Sequence, residues 1–161
     1  MVGLSKTVRV HLVQPLFLLF LFVVGTQAHA QQEKLPTEDV IIRISDGTEF
    51  TFVSEMALTP EQQSMGMMFR TEMGDFEGML FVVPVPRRAS FWMRNTLIPL
   101  DMIFVRANGR IANIIENAEP ETDTSRRSKG RVKAILEIPG GRTAELGIKA
   151  GDLVIHPAFG G

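Results

Sequence analysis

The apolar positions of this chain fall into short runs separated by turn residues, which is the spacing of strands. Val40 to Ile44 and Thr48 to Val53 flank Asp46-Gly47, a dipeptide that accepts positive φ, and so predict a β-hairpin. Gly78 to Val83 reads as a buried strand stopped by Pro84 and Pro86. Ala89 to Met93 and Leu100 to Val105 are two further strands. Asn108-Gly109 turns the chain into Arg110 to Ile115, Val132 to Ile138 leads to a Gly140-Gly141 turn, and Asp152 to His156 is the last strand.

Helical signals are few. Thr59-Pro60-Glu61-Gln62 is a helix start, with Thr59 as cap, Pro60 at the first helical position and Gln62 able to close a capping box. Gly66 ends that helix, and Arg142 to Leu146 has room for one turn of a second. Arg70 to Glu77 reads as a loop. Glu116 to Lys129 is a polar connection of about fourteen residues, a length that predicts a lid or mobile flap. Seven or eight short strands with one or two short helices predict a mostly β (β-rich α+β) fold, a compact antiparallel barrel or sandwich. No strand precedes a long amphipathic helix with a glycine-rich phosphate loop, so nothing in the sequence suggests a parallel sheet.

The N-terminus has a different pattern. Lys6 and Arg9 precede an unbroken apolar run of nine residues, Leu16 to Val24, and Ala28-His29-Ala30 supplies a small-x-small cleavage site. Nine residues span roughly 14 Å as helix, about half a hydrocarbon core, so a cleaved secretory signal over residues 1–30 is expected rather than a permanent anchor. The cut falls before Gln31. Residues 31–39, polar and containing Pro36, read as a flexible leader, and 40–161 as a single globular domain. The expected location is the periplasm or the outside of the cell, with no stable membrane insertion after signal cleavage.

Composition narrows the chemistry. The chain has 17 Lys and Arg against 18 Asp and Glu; removing Lys6 and Arg9 leaves 15 against 18, a net charge of −3, which gives no bulk attraction to nucleic acid or to anionic lipid. There is no cysteine, and therefore no disulfide, thiol nucleophile, thiolate ligand or cysteine-borne lipid anchor. His156 is the one histidine past residue 30, and no nucleophile-elbow pattern surrounds any serine or threonine, which weakens nucleophile–histidine–acid hydrolysis. Met65-Gly66-Met67-Met68 with Met73 is a soft-ligand cluster suited to a cuprous ion, but methionines at Met79, Met93 and Met102 sit in apolar runs and read as core. No metal and no cofactor is expected.

The densest polar chemistry lies in Ser90 to Asp101. The only tryptophan, Trp92, is followed there by Arg94, Asn95, Thr96 and Asp101, between two strand-like runs. Polar groups beside a large aromatic surface at the mouth of a sheet are what a small-ligand site is built from. Arg94-Asn95-Thr96 also reads as plain turn chemistry, with Asn95 suited to a left-handed conformation. Asp101 and Glu137 each stand among apolar neighbours, where a charge must be paired or hydrogen-bonded. They are therefore either a brace or a pair of catalytic acids.

Gly66-Met67-Met68-Phe69-Arg70, Glu77-Gly78-Met79-Leu80-Phe81, Phe91-Trp92-Met93-Arg94-Asn95-Thr96, Pro99-Leu100-Asp101-Met102-Ile103-Phe104 and Leu136-Glu137 occur in an order that resembles the bacterial and archaeal domain of unknown function 192 family. The resemblance runs from about Ile41 to Ile155. It implies a small, often exported, mostly β domain and carries no established activity. Matching its motifs residue by residue points to Arg70, Trp92, Met93, Arg94, Asn95, Thr96, Asp101 and Glu137 as ligand-binding candidates. Arg94 stands where lysine is common in relatives, and the tyrosine often found before Val132 is missing, since the chain has none. The leading expectation is a binding or accessory module for a small polar or sugar-like ligand. The alternatives are a carboxylate-dependent hydrolase, for example on glycans, using Asp101 and Glu137, and a purely structural or partner-binding domain.

Overall fold

The computed structural model describes residues 34–160; the expected signal segment and its cleavage point lie outside them. Strands β1 (Thr37–Arg43) and β2 (Glu49–Ala57) form the expected hairpin, with Gly47 at φ 91° and Asp46 Oδ1 accepting the Thr48 N–H at 2.9 Å. Strand β1 begins inside the stretch read as a leader: Thr37, Glu38 and Asp39 already pair with Glu55, Ser54 and Val53.

Helix α1 (Pro60–Met65) starts with the expected capping box, in which Thr59 accepts from the Gln62 N–H and Gln62 Oε1 accepts from the Thr59 N–H. It rides on the crossover from β2 to β3 (Glu77–Arg87), and those two strands run parallel, from Val53 opposite Glu77 to Ala57 opposite Phe81. This pair departs from the otherwise antiparallel ladder. A crossover helix of six residues is too short to leave the amphipathic signature from which a parallel pair is read.

Strand β3 also continues through Pro84 and Pro86, where the sequence suggests a stop. Its register against the partner strand is broken between Val82 and Arg87, so the missing proline N–H groups are not required by the ladder. The proline carbonyls find side-chain donors instead: Lys133 Nζ donates to Pro84 and Arg131 Nε to Pro86, both at 3.0 Å.

The remaining elements are β4 (Ser90–Phe91), β5 (Leu100–Val105), β6 (Ile111–Ala118), β7 (Arg126–Arg127), β8 (Val132–Pro139), α2 (Arg142–Leu146), β9 (Leu153–Ile155) and a 3-10 turn at Pro157–Phe159. Seven strands make one sheet in the order β6-β5-β8-β3-β2-β1-β9, while β4 and β7 pair separately. The large sheet curls until its two ends meet. Arg110, just before β6, bridges to Leu153 of β9, the Ile111 N–H donates to the Asp152 carbonyl and the Val154 N–H to the Gly109 carbonyl. The fold is mostly β, a curled sheet with two short helices, as the strand spacing predicts.

Two apolar layers follow from strand alternation. Val40, Ile42, Phe52, Leu80, Ile103, Leu136 and Val154 come from strands across the whole sheet, so they fill the inside of the curl. Met79, Phe81, Met102, Phe104 and Ile135 lie on the opposite face of the central strands. That outer face is covered by the α1 crossover and by the segments around Met93 and Ala118. The long connection expected to be a flap is tied to this cover: the Met93 N–H donates to Thr122, the Glu121 N–H to Thr96, the Ser128 N–H to Ala89 and the Lys129 N–H to Asn113 Oδ1. Buried Arg126 adds bonds to the Thr124 and Glu119 carbonyls and the Thr122 hydroxyl. The segment is a strap, not a lid.

Candidate functional site

The outer cover leaves one hollow over the middle of the sheet, a cavity of about 390 Å³. Strand β8 supplies its floor at Glu137. In the ladder Glu137 lies opposite Met79 of β3 on one side and Met102 of β5 on the other, so its side chain rises between two buried thioethers. Phe81 and Phe91, packed edge to face at 5.1 Å between centroids, form part of the wall, and Trp92, 52% exposed, forms part of the rim. The α1 crossover closes another side with Gln63, Ser64 and the Met65-Gly66-Met67-Met68 run. Gln63 is held in place because its Nε2 donates to the Ala57 and Val82 carbonyls at 3.1 and 2.8 Å.

Glu137 is only 4% exposed, and no group among the described residues hydrogen-bonds or ion-pairs with its carboxyl. Burial pushes its pKa up to about 8. At neutral pH it is therefore mainly a carboxylic acid, one O–H donor and one C=O acceptor at the bottom of a hollow lined by both apolar and polar groups. A buried acid without a partner, facing a cavity, is the usual mark of a functional rather than a structural group.

Asp101 has the opposite environment. It is fully buried, and its carboxylate accepts from the Asn117, Gly141 and Thr143 N–H groups at 2.6, 2.8 and 2.7 Å and from the Thr143 hydroxyl at 2.6 Å. Its ladder partner is Ile138, which belongs to the inner layer, whereas Glu137 belongs to the outer one. The two carboxyls lie on opposite faces of the sheet. A two-acid hydrolase needs both to flank one bond, so the Asp101–Glu137 pair cannot serve as one. Asp101 is a brace.

Of the other candidates, Thr96 is buried and joins Trp92 and Glu137 in lining the cavity. Arg94 and Asn95 shape its edge from outside. The Arg94 guanidinium stacks 4.7 Å above the Trp92 ring and its Nε donates to Asp123 at 2.8 Å, which holds the Asp123 carboxyl below its ordinary range. Asn95 adopts the left-handed conformation expected of it, φ 55°, and its carbonyl accepts the Phe69 N–H at 2.8 Å. That bond fastens the Trp92 loop to the methionine run. Met93 is fully buried core and Arg70 is locked in a bidentate pair with Glu55, so neither is free to meet a ligand. Both drop out of the binding set for the same reason: their polar or soft atoms face protein.

Sequence reasoning passed over Gln63, Phe81, Phe91 and Arg87, all of which line the cavity. Phe81 was within reach, since it stands two residues beyond Met79 on the face Glu137 shares. Arg87 was not, because the sequence ends that strand at Pro84. The Met65-Gly66-Met67-Met68 run weighed for a soft ion forms part of the cavity wall.

The family model DUF192, described as Uncharacterized ACR, matches residues 41–156. A solved protein of unknown function from Novosphingobium aromaticivorans DSM 12444 is 48% identical, with a TM-score of 0.74 over 76% of this chain and 86% of that one. A candidate transcription regulator from Sinorhizobium meliloti 1021 is 32% identical, with a TM-score of 0.76 over 80% of this chain and 99% of that one. No curated protein matches the chain.

Proposed function

The chain belongs to the DUF192 family, and we propose that it serves there as an exported, periplasmic or secreted, binding module for a small, uncharged, sugar-like ligand. One observation carries the reading: Glu137 presents an unpaired, buried acid to an open hollow whose walls are otherwise aromatic, thioether, hydroxyl and amide groups, with the Arg87 guanidinium as the one charged side chain beside it. A neutral acid in such surroundings favours a ligand that both donates and accepts hydrogen bonds without bringing a second charge. Sugars and polyols also have C–H faces that pack on an indole such as Trp92. The regulator description of the Sinorhizobium protein is not carried over, since the α-helices among the described residues are six and five residues long and neither offers a groove-reading face.

Trp92 is the only tryptophan and there is no tyrosine, so intrinsic fluorescence reports on this hollow alone. Titration with a panel of neutral mono- and disaccharides and polyols is expected to shift Trp92 emission saturably for at least one class. Glu137→Gln, which keeps a neutral hydrogen-bonding group, should retain binding within a few-fold. Glu137→Leu should lose roughly tenfold or more, the value of one unmade buried hydrogen bond. A Leu variant that binds as well as the parent, or a panel that leaves Trp92 emission unchanged throughout, would overturn the reading.

A further inference from the structure

Residues 78–100 and residues 124–136 carry cations without a single acid. The fold brings them together. Arg87 lies opposite Val132, Arg131 reaches back to the Pro86 carbonyl and Lys133 to that of Pro84, while β4 pairs with β7 through Ser90 and Arg127. The Ser128 N–H donates to the Ala89 carbonyl, which fixes Lys129 beside Arg88 in the same region. Arg87, Arg88, Arg127, Lys129, Arg131 and Lys133 thus occupy one end of the β3–β8 pair and the small sheet beside it. All but half-buried Lys133 are exposed.

Among the described residues none of the six forms an ion pair, although Lys34, Arg43, Arg94 and Arg142 elsewhere on the surface each have a carboxylate. Side-chain bonds made by Arg127, Arg131 and Lys133 go to a hydroxyl or to carbonyls and leave their charge uncompensated. The net negative charge of the domain therefore conceals a local field of one sign. Apolar surface accompanies it. Val85, 67% exposed, stands two residues before Arg87 on one strand, and Trp92 shares a cavity wall with Arg87.

We propose that this face docks the protein on a bilayer surface bearing anionic phosphate headgroups. Unpaired Arg and Lys on the same elements as an exposed valine, with one of them, Arg87, sharing a cavity wall with a half-exposed tryptophan, are the composition of an interfacial contact, the cations on headgroups and the apolar groups at their level. An exported chain meets such a surface. Duplex nucleic acid is less well served, because none of the basic positions lies on a helix that could enter a groove. The inference rests on the export proposed above and shares Arg87 and Trp92 with the cavity, but it does not need the cavity to hold a ligand.

The test is partitioning of the full chain between buffer and vesicles of phosphatidylcholine, with and without phosphatidylglycerol. Comparison with neutral vesicles accounts for the apolar run Leu16 to Val24. The mixed vesicles should bind more strongly, and binding should fade toward about 1 M salt, where the screening length is near 3 Å. Combined Arg88→Gln, Arg127→Gln, Lys129→Gln and Arg131→Gln should lower partitioning to mixed vesicles by roughly tenfold or more. Arg88→Lys, Arg127→Lys and Arg131→Lys together should leave it nearly unchanged, which separates charge from damage to the fold. Equal partitioning of the glutamine variant would overturn the proposal, as would equal binding to neutral vesicles. So would displacement by inorganic phosphate at constant ionic strength, which marks a single-phosphate site, or tighter binding to duplex DNA than to mixed vesicles.

Discussion

Among the described residues four donors converge on Asp101 and none on Glu137, although one sheet buries both. The difference sets how stability responds to pH. A carboxyl whose folded pKa lies near 8, against an ordinary value of 4.5, keeps its proton in the folded state while the unfolded chain releases it. Between those values the folded state binds more protons than the unfolded one, so stability falls as pH rises, by about 1.4 kcal/mol per pH unit from this group alone. Its contribution is full below about pH 4.5 and gone above about pH 8. Urea unfolding at pH 5 and pH 7.5 should show the parent losing stability while Glu137→Gln loses markedly less. Parallel losses in the two proteins would mean that the acid is not buried as described. In the sequence the two carboxyls look alike, each flanked by apolar residues. What separates them is a set of donors 16 to 42 residues from Asp101, and pairing at that range leaves no trace in local pattern.

At the scale of the element, Asp101 explains why α2 forms where it does. The helix has Gly141, φ 84°, at its N-cap and no capping side chain of its own. Asp101 supplies the acceptor from β5 instead, taking the Gly141 and Thr143 N–H groups that a local Asp or Ser would satisfy. It binds Asn117 at the end of β6 with the same carboxylate, so one side chain joins two strands and a helix. Asp101→Ala should cost about 3–5 kcal/mol, since it strands several buried donors at once. Thr143→Val, which removes one hydroxyl from the carboxylate, should cost about 1–3 kcal/mol. In a double-mutant cycle by chemical denaturation the two losses should be clearly non-additive. A loss below 1 kcal/mol for Asp101→Ala would rule the brace out. Elements whose signals are local were legible: the Asp46-Gly47 hairpin, the Thr59 capping box and the Leu100–Val105 strand all appear as expected. The strap from Glu116 to Lys129 was not, because its anchors at Ala89, Met93 and Thr96 come from an earlier part of the chain.

For the whole molecule, the hollow over Glu137 depends on the curvature of the sheet beneath it, and that curvature is fixed where the ends meet. Short strands and regular turns foretold a barrel or sandwich, yet neither the parallel β2–β3 pair nor the closing contact could be read, since both join distant residues. Gly109 sits at the closure. Its φ is 75°, and a Cβ there would lie 2.6 Å from the Val154 carbonyl oxygen, a backbone atom that can move only if β9 moves. Gly109→Ala combines a left-handed strain of about 1 kcal/mol with that clash, and should cost about 2–4 kcal/mol in all. The loss should be local before it is global. Amide exchange should accelerate most at Val154 and Ile111, whose N–H groups make the closing bonds, and least along the β5–β8 ladder. Uniform acceleration would show that the closure is not a separate weak point. With the ends parted but β5, β8 and β3 still paired, Glu137 keeps Met79 and Met102 beside it, so its raised pKa should survive in the variant while the cavity walls loosen. The floor and the walls of the site would then be separable by a single methyl group placed on the far edge of the sheet.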